Sequence, residues 1–233
     1  MGIRAVLVAN FISGSFSRMD QFRSCPKKFF ELSVKKSVPF KQSESMRAGE
    51  VIHKILEEAV SYGKAPPPGY EKYAPLAAAV RAAPGETFTE VRLTIDRSGA
   101  PCGYNDWDNA YIRAIVDVMK IRNDVAWAGD WKTGKRTFDE LQLKTTAGVI
   151  FNHYPDVNTV ATQYIFTEEK SVDEPTIYRR ADLARIWAEP LDIMNQIQEA
   201  NRTNTWPARP SKRGPPFCAW CAVNKAGLCE EAR

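Results

Sequence analysis

The stretch from Ile112 to Lys132, IRAIVDVMKIRNDVAWAGDWK, constrains the fold more than any other part of the chain. Two apolar runs of strand length flank Arg122-Asn123-Asp124, a tight-turn sequence, so the segment reads as a β-hairpin. Asp117 interrupts the first run, and Asp130 and Lys132 close the second. Side chains alternate across a strand, so Asp130 and Lys132 share one face and Trp131 takes the other. Antiparallel pairing brings Asp117 to the same place. Two carboxylates and an ammonium then meet on an otherwise apolar sheet.

Two carboxylates are a ligand set for Mg²⁺ or Mn²⁺, hard cations that prefer oxygen. A lysine beside them can orient a water, help to deprotonate it, or neutralise charge developing on a phosphate. The same residues also suit a buried Asp–Lys ion pair or strand-end charges facing solvent, and this stretch alone leaves both readings open.

The rest of the chain supplies elements to surround the hairpin. Ser17 and Asp20 start a short helix through Met19 and Phe22, and Pro26 opens a second helix carrying Phe29, Phe30 and Leu32. Residues 44–61 form a longer helix with an apolar stripe of Ala48, Ile52, Ile55, Leu56 and Ala59. His53 lies at the edge of that stripe, where a histidine is usually a satisfied core-edge residue. Gly63 and the Pro66–Pro68 run end this helix, and an alanine-rich helix follows at 70–83. Residues 87–96 alternate as a half-buried strand, with Val91, Leu93 and Ile95 on one face and Phe88, Glu90 and Arg92 on the other. After the hairpin, Thr137 and Glu140 form a capping-box pattern for a helix at about 138–151. On it Gln142 and Thr146 lie one turn apart, on a face that can look back at the hairpin's open end. Strands at about 158–167 and 175–179 lead to a long amphipathic helix at 181–203, which Pro190 should kink or split. Trp206 to Pro216 is extended, basic and proline-rich, and returns the chain end to the body.

At 233 residues the chain can bury a full core. Its 44% hydrophobic and 26% charged residues fit a soluble globular protein. No apolar run approaches the roughly 18 residues of a membrane span, and the apolar opening segment is interrupted by Asn10, so a cytoplasmic protein is expected. A net charge of +4 and a pI of about 8.7 permit nucleic-acid binding without demanding it. Basic residues gather at Lys27, Lys28, Lys35, Lys36 and Lys41, at Lys132, Lys135 and Arg136, and at Lys212 and Arg213; such runs are mostly solvated faces.

Of five cysteines, Cys218, Cys221 and Cys229 make C-x2-C-x7-C near the C-terminus, while Cys25 and Cys102 stand alone. In a cytosolic chain this spacing suggests a metal or a cluster more than disulfides.

Several ordered motifs run through these elements. Ser17, Phe22, Cys25, Pro26 and Phe29 spell S-x-x-x-x-F-x-x-C-P-x-x-F, and Gly49 and His53 spell G-x-x-x-H. Asp117 follows, then D-W-K-T-G-K from Asp130 to Lys135, then Gln142 and the cysteine triplet. Each is weak alone, but the ordered set resembles the RecB/AddB-type branch of the PD-(D/E)XK nucleases. It is most similar to the iron–sulfur exonucleases of that branch, including the CRISPR-associated RecB-like exonucleases.

The resemblance implies an α/β (α+β) fold, a restriction-endonuclease-like mixed sheet flanked by helices, as a single nuclease domain over residues 1–233. Its helical part would cover about 15–85, its catalytic sheet about 86–180, and its terminal helix and cysteine tail about 181–233. It implies His53, Asp117, Asp130 and the Trp131 carbonyl as ligands of Mg²⁺ or Mn²⁺. Lys132 would position or activate the attacking water, and Gln142 would hold the site or the DNA. Glu90 fits a supporting polar role or a surface one. Cys25, Cys218, Cys221 and Cys229 would hold a 4Fe–4S cluster that pins the two chain ends together, with a four-cysteine zinc site as the rival; Cys102 is left over.

The implied reaction is metal-dependent exonucleolytic hydrolysis of DNA, single-stranded or at free ends, with a helicase, recombinase or CRISPR adaptation partner in view. Two departures stand out. The family's Q-x-x-x-Y motif has Thr146 in place of tyrosine, and the last cysteine gap is long. The competing readings are a catalytically degenerate DNA-binding scaffold and a zinc-stabilised nucleic-acid-binding module.

Overall fold

The computed structural model describes residues 11–134, 138–210 and 216–230. The opening segment, Lys135, Arg136, Thr137, Lys212 and Arg213 lie outside the described residues.

The chain opens with α1 (Phe16–Ser24) and α2 (Pro26–Phe29), which runs into a π-helical turn at Phe30–Val34. Ser15 caps α1 by accepting from Arg18 N–H, and Pro26 sits at the first turn of α2, where its missing N–H costs nothing. α3 (Glu44–Tyr62) is capped by Ser43 at its start and by left-handed Gly63 at its end. A single 3₁₀ turn leads to α4 (Ala74–Ala82). Then come β1 (Glu86–Ile95), β2 (Ile112–Arg122), β3 (Val125–Lys132), α5 (Glu140–His153) and β4 (Thr159–Phe166). Two short strands, β5 (Ser171–Val172) and β6 (Thr176–Arg179), precede α6 (Leu183–Thr203), α7 (Pro216–Trp220) and α8 (Ala222–Lys225).

The sheet runs β1-β2-β3-β4-β5, with β6 also on the outer edge of β4. β1, β2 and β3 pair antiparallel, while β3 and β4 pair parallel through the α5 crossover, giving the expected mixed sheet flanked by helices. One face is covered by α3 and α4, whose Ile52, Leu56, Tyr73 and Val80 pack on Val118, Trp131 and Ile165. The other is covered by α1, α5 and α6, where Met19, Phe22, Ile150 and Met194 pack on Val116, Ala126, Ala128 and Val160. None of the described helices is long and apolar enough to cross a membrane.

Four local expectations change. Phe88 packs against the same core as Val91 and Leu93 rather than facing away, because Glu90 between them has φ +50° and resets the alternation of β1. α5 is capped by Asp139, whose side chain accepts from Leu141 N–H at 3.0 Å. α6 runs unbroken for 21 residues through Pro190, which is buried in it. The short β5 was not foreseen.

Candidate active site

The site forms where β1, β2 and β3 lie side by side beneath the middle of α3. Thr89 pairs with Val118 and Val91 with Val116, so Glu90 stands opposite Asp117. On the other side Val118 pairs with Gly129, so the next rung outward brings Asp117 level with Asp130. Three carboxylates from three strands therefore arrive at one height of the sheet.

α3 adds His53 from above. Its Nε2–H donates to the Trp131 carbonyl at 3.0 Å, and its Nδ1 faces Asp117 Oδ2 at 3.6 Å. Asp117 Oδ2 also accepts from Trp131 N–H at 2.8 Å, so both polar groups of the Trp131 backbone are engaged at the site. Gly49, one turn before His53, makes this approach possible. A methyl group there would stand 2.9 Å from Thr133 Oγ1, just beyond β3.

His53, Glu90 and Asp117 each bring a ligand atom within 4.8 Å of the other two, which is the donor set of a divalent-cation site rich in oxygen. The electrostatics agree. Burial and the neighbouring Asp117 charge raise the Glu90 carboxyl above its ordinary range. Burial opposes charge on His53, but its hydrogen bond to Asp117 and the charges of Asp117, Asp130 and Glu90 together raise its pKa. Asp130 is pushed up to about 6, first by burial and then by Asp117, with Lys132 pulling the other way. A cation among these groups would relieve a repulsion that they otherwise share.

Asp130 and Lys132 project to the α5 side, as strand alternation requires. Lys132 Nζ lies 2.7 Å from Asp130 Oδ2 and donates to Gln142 Oε1 at 2.9 Å. Gln142 Nε2 donates to Asp130 Oδ1 at 2.5 Å, closing a three-membered network. Tyr164 on β4 completes it. Its hydroxyl reaches Gln142 Oε1 at 3.1 Å and the Asp139 carbonyl at 2.9 Å, and Lys132 Nζ sits 4.7 Å from its ring centre. Thr146 lines the same cleft but takes no part in this network.

The cleft lies open on two sides of His53 and Asp117. One mouth is lined by Ser15, Ser17, Arg113, Lys132 and Gln142, the other by Glu50, Lys54, Glu90 and Arg92. A chain-like substrate can thus pass across the site.

The comparison with known proteins bears on this geometry. Residues 13–90 match the PD-(D/E)XK nuclease superfamily. The matched segment runs from the start of α1 into β1, and so carries Gly49, His53 and Glu90. The mixed six-stranded sheet between helices accords with the PD-(D/E)XK fold. Two solved structures resemble the chain in fold. The chain is similar to the crystal structure of SSO0001 over 95% of its own length and 87% of that chain, at 16% identity and a TM-score of 0.50. It is similar to a protein named "Putative exonuclease" from Eubacterium rectale over 94% and 98%, at 10% identity and a TM-score of 0.52. At these identities the likeness is one of fold. No curated protein matches the sequence.

The structure gathers His53, Asp117, Asp130, Trp131, Lys132 and Gln142 around one cleft. It brings in Glu90, for which the sequence left a supporting or a surface role open, and adds Tyr164. Counting rungs outward from the turn at Asn123 sets Asp117 against Asp130, but the long loop between β1 and β2 leaves the register of Glu90 open, and nothing in the sequence pointed to Tyr164.

A second gathering lies at the chain ends. Cys25, Cys218, Cys221 and Cys229, all free thiols, line one cavity of about 480 Å³ with Lys27, Lys28 and Arg209. The returning segment is fastened there by Lys27 N–H to the Pro207 carbonyl at 3.2 Å, Arg209 N–H to Cys25 Sγ at 3.4 Å, and the Arg209 guanidinium to the Arg23 carbonyl at 2.8 Å. Phe22 is buried, and Trp206 is stacked on Phe30 at 5.0 Å. Cys102 lies apart in the β1–β2 loop.

Proposed function

We propose that the protein is a divalent-metal-dependent deoxyribonuclease acting on single-stranded DNA or DNA ends. The observation that carries this reading is the convergence of His53, Glu90 and Asp117 within 4.8 Å, beside the Asp130–Lys132–Gln142 network. His53, Glu90 and Asp117 would hold Mg²⁺ or Mn²⁺ together with Asp130 and the Trp131 carbonyl. Such an ion, when bound, lowers the pKa of a water and polarises the scissile phosphate.

The chain's own groups do the rest. Lys132 is held by Asp130 and Gln142, so its ammonium is fixed in place and can orient a water and offset charge on a phosphate. Trp131 fixes the height of Asp117 and His53 through its N–H and carbonyl. Arg113 and Lys54 on the two mouths favour a polyanion.

The four cysteines suit a 4Fe–4S cluster as a staple between α2 and the C-terminal segment. The four thiols line one cavity with Lys27, Lys28 and Arg209 beside it, cations that suit an anionic thiolate site, and a four-cysteine zinc site is the rival occupant.

The test is degradation of end-labelled single- and double-stranded DNA with Mg²⁺ or Mn²⁺, using protein purified without oxygen. Wild type should release label only with metal; Lys132→Ala and Asp117→Ala should not, while melting like wild type. Full activity in Lys132→Ala would overturn the assignment. Binding without cleavage under every metal condition would favour a scaffold instead.

A further inference from the structure

Beyond α3 the sheet presents a set of side chains that the cation site does not use. Arg113, Ile115 and Asp117 alternate along β2 and so share one face. Asp117 belongs to the site, Ile115 is 44% exposed, and Arg113 lines the same cleft with Tyr104, Ser15 and Ser17. The Arg113 guanidinium lies 3.9 Å from the Trp107 ring centre and 5.5 Å from that of Tyr104, and Arg92 covers Tyr104 at 5.4 Å.

Two features of this group are unusual. Nε and Nη2 of Arg113 are buried and have no hydrogen-bond partner, and the same holds for Nε of Arg18 on α1. The two cations are close enough that Arg113, after burial, helps to hold the Arg18 pKa below its ordinary value. Buried donors without partners are costly, and a charged pair of like sign adds to that cost. An anion against the cleft-facing edge of Arg113 would offset the like-charge part of that cost.

The second feature is Trp107, which is 70% exposed although its loop is tied down. Asp96 accepts from Ser98 N–H and Ala100 N–H, Cys102 N–H reaches the Thr94 carbonyl, and Asp106 accepts from the N–H and side-chain amide of Asn109. The ring is therefore held out, with a guanidinium over it and a large free surface.

We propose that Arg113, Tyr104 and Trp107 form a nucleotide-binding platform for single-stranded DNA beside the cation site. The guanidinium takes a backbone phosphate, and the free surface of Trp107 stacks on the unpaired base next to it. A base inside a duplex is stacked on both faces, whereas every unpaired base can offer one, so the platform favours single strands. Arg113 and Asp117 are four residues apart on one strand, about 13 Å, so the platform serves nucleotides near the one being cleaved. In that respect it rests on the nuclease reading.

The experiment is equilibrium binding of fluorescein-labelled oligo(dT), of an abasic strand and of blunt duplex, with EDTA present so that nothing turns over. Trp107→Ala should weaken oligo(dT) binding about 10-fold while leaving the abasic strand and the duplex as they were, and Trp107→Phe should keep most of the affinity. Arg113→Gln should weaken binding to oligo(dT) and to the abasic strand, and lower the slope of log K against log salt by about 0.7. The platform falls if Trp107→Ala binds oligo(dT) like wild type, or loses all three ligands alike. Cleavage measured in parallel separates the two readings. If wild type never cleaves yet Trp107→Ala loses oligo(dT), the platform stands without the nuclease; if wild type cleaves and Trp107→Ala binds normally, the reverse holds.

Discussion

Glu90 faces Asp117 across the β1–β2 ladder from a left-handed backbone conformation, φ +50°, that glutamate rarely adopts. The same backbone turn sends Phe88 and Val91 into one core and leaves Thr89 on the opposite side, where its hydroxyl lies 2.6 Å from that of Ser61 on α3. A strand that alternated regularly would keep Phe88 out of that core. The strained residue is thus the point at which β1 changes from packing to chemistry, and such strain persists where the surroundings over-determine it.

Glu90→Gln should show what that position is for. The carboxyl is raised by burial and by Asp117, so at neutral pH its charge works against the metal-free fold. The amide should raise the melting temperature of metal-free protein by about 2 °C. It should also weaken Mn²⁺ binding at least about 10-fold, since a ligand is lost. Calorimetric titration and thermal melts read the two effects. Unchanged Mn²⁺ affinity would return Glu90 to a surface role.

Asp130 gives a pH signature. Its carboxyl rises from an ordinary 3.8 to about 6 through burial and Asp117. Below about pH 4 it is protonated folded or unfolded and contributes no difference. Between about pH 4 and 6 the native state holds the proton more tightly, so stability from this group falls as pH rises through that window and stays lower above it, by at most about 3 kcal/mol. Metal-free Asp130→Asn should lose that decline and be the more stable protein at pH 7.5. Cation binding runs the opposite way, because it needs the ionised carboxylate. Urea unfolding at pH 4 and pH 7.5 tests the first statement, and Mn²⁺ titration across the same range the second.

Much of this site was legible because it depends on period and register. The hairpin at Arg122–Asp124 and the two-residue alternation put Asp117, Asp130 and Lys132 together before any coordinates were needed, and the 3.6-residue period put His53 one turn from Gly49. Phe88 was misread because a single positive φ at Glu90, invisible in a residue other than glycine, shifts the alternation. Tyr164 was invisible for a different reason. It comes from β4 through a parallel crossover, and no local pattern tells how far α5 displaces that strand. At Pro190 only the expected split fails, since α6 continues as one helix through the buried ring.

We propose that Tyr164 does the work of the tyrosine that the resemblance leads one to expect at position 146. Its hydroxyl binds Gln142 Oε1 and the Asp139 carbonyl from β4 rather than from α5. Tyr164→Phe removes one of two donors to the Asp139 carbonyl, at the start of α5, and leaves the other, Gln142 N–H at 3.2 Å. It should cost about 1 kcal/mol of stability and lower cleavage roughly 10-fold by loosening Gln142 and, through it, Lys132. Thr146→Ala, which touches none of these groups in the network, should change cleavage far less. Equal losses in the two variants would place the glutamine's support on α5 instead.

The cysteines make the last prediction. Cys25 leads into α2, and Cys218, Cys221 and Cys229 lie in the segment carrying α7 and α8, almost the whole chain away, yet all four line one cavity. If they hold one metal group, each is needed for the whole, and their losses cannot add. Cys25→Ser and Cys221→Ser should each lower the melting temperature, and the double variant should fall no further than the worse single one. Iron and zinc content, measured on protein purified without oxygen, should drop in all three together, while Cys102→Ser keeps both metal and stability. Additive losses, or full metal in Cys25→Ser, would mean that the terminal cysteines act without α2 and that the staple does not exist.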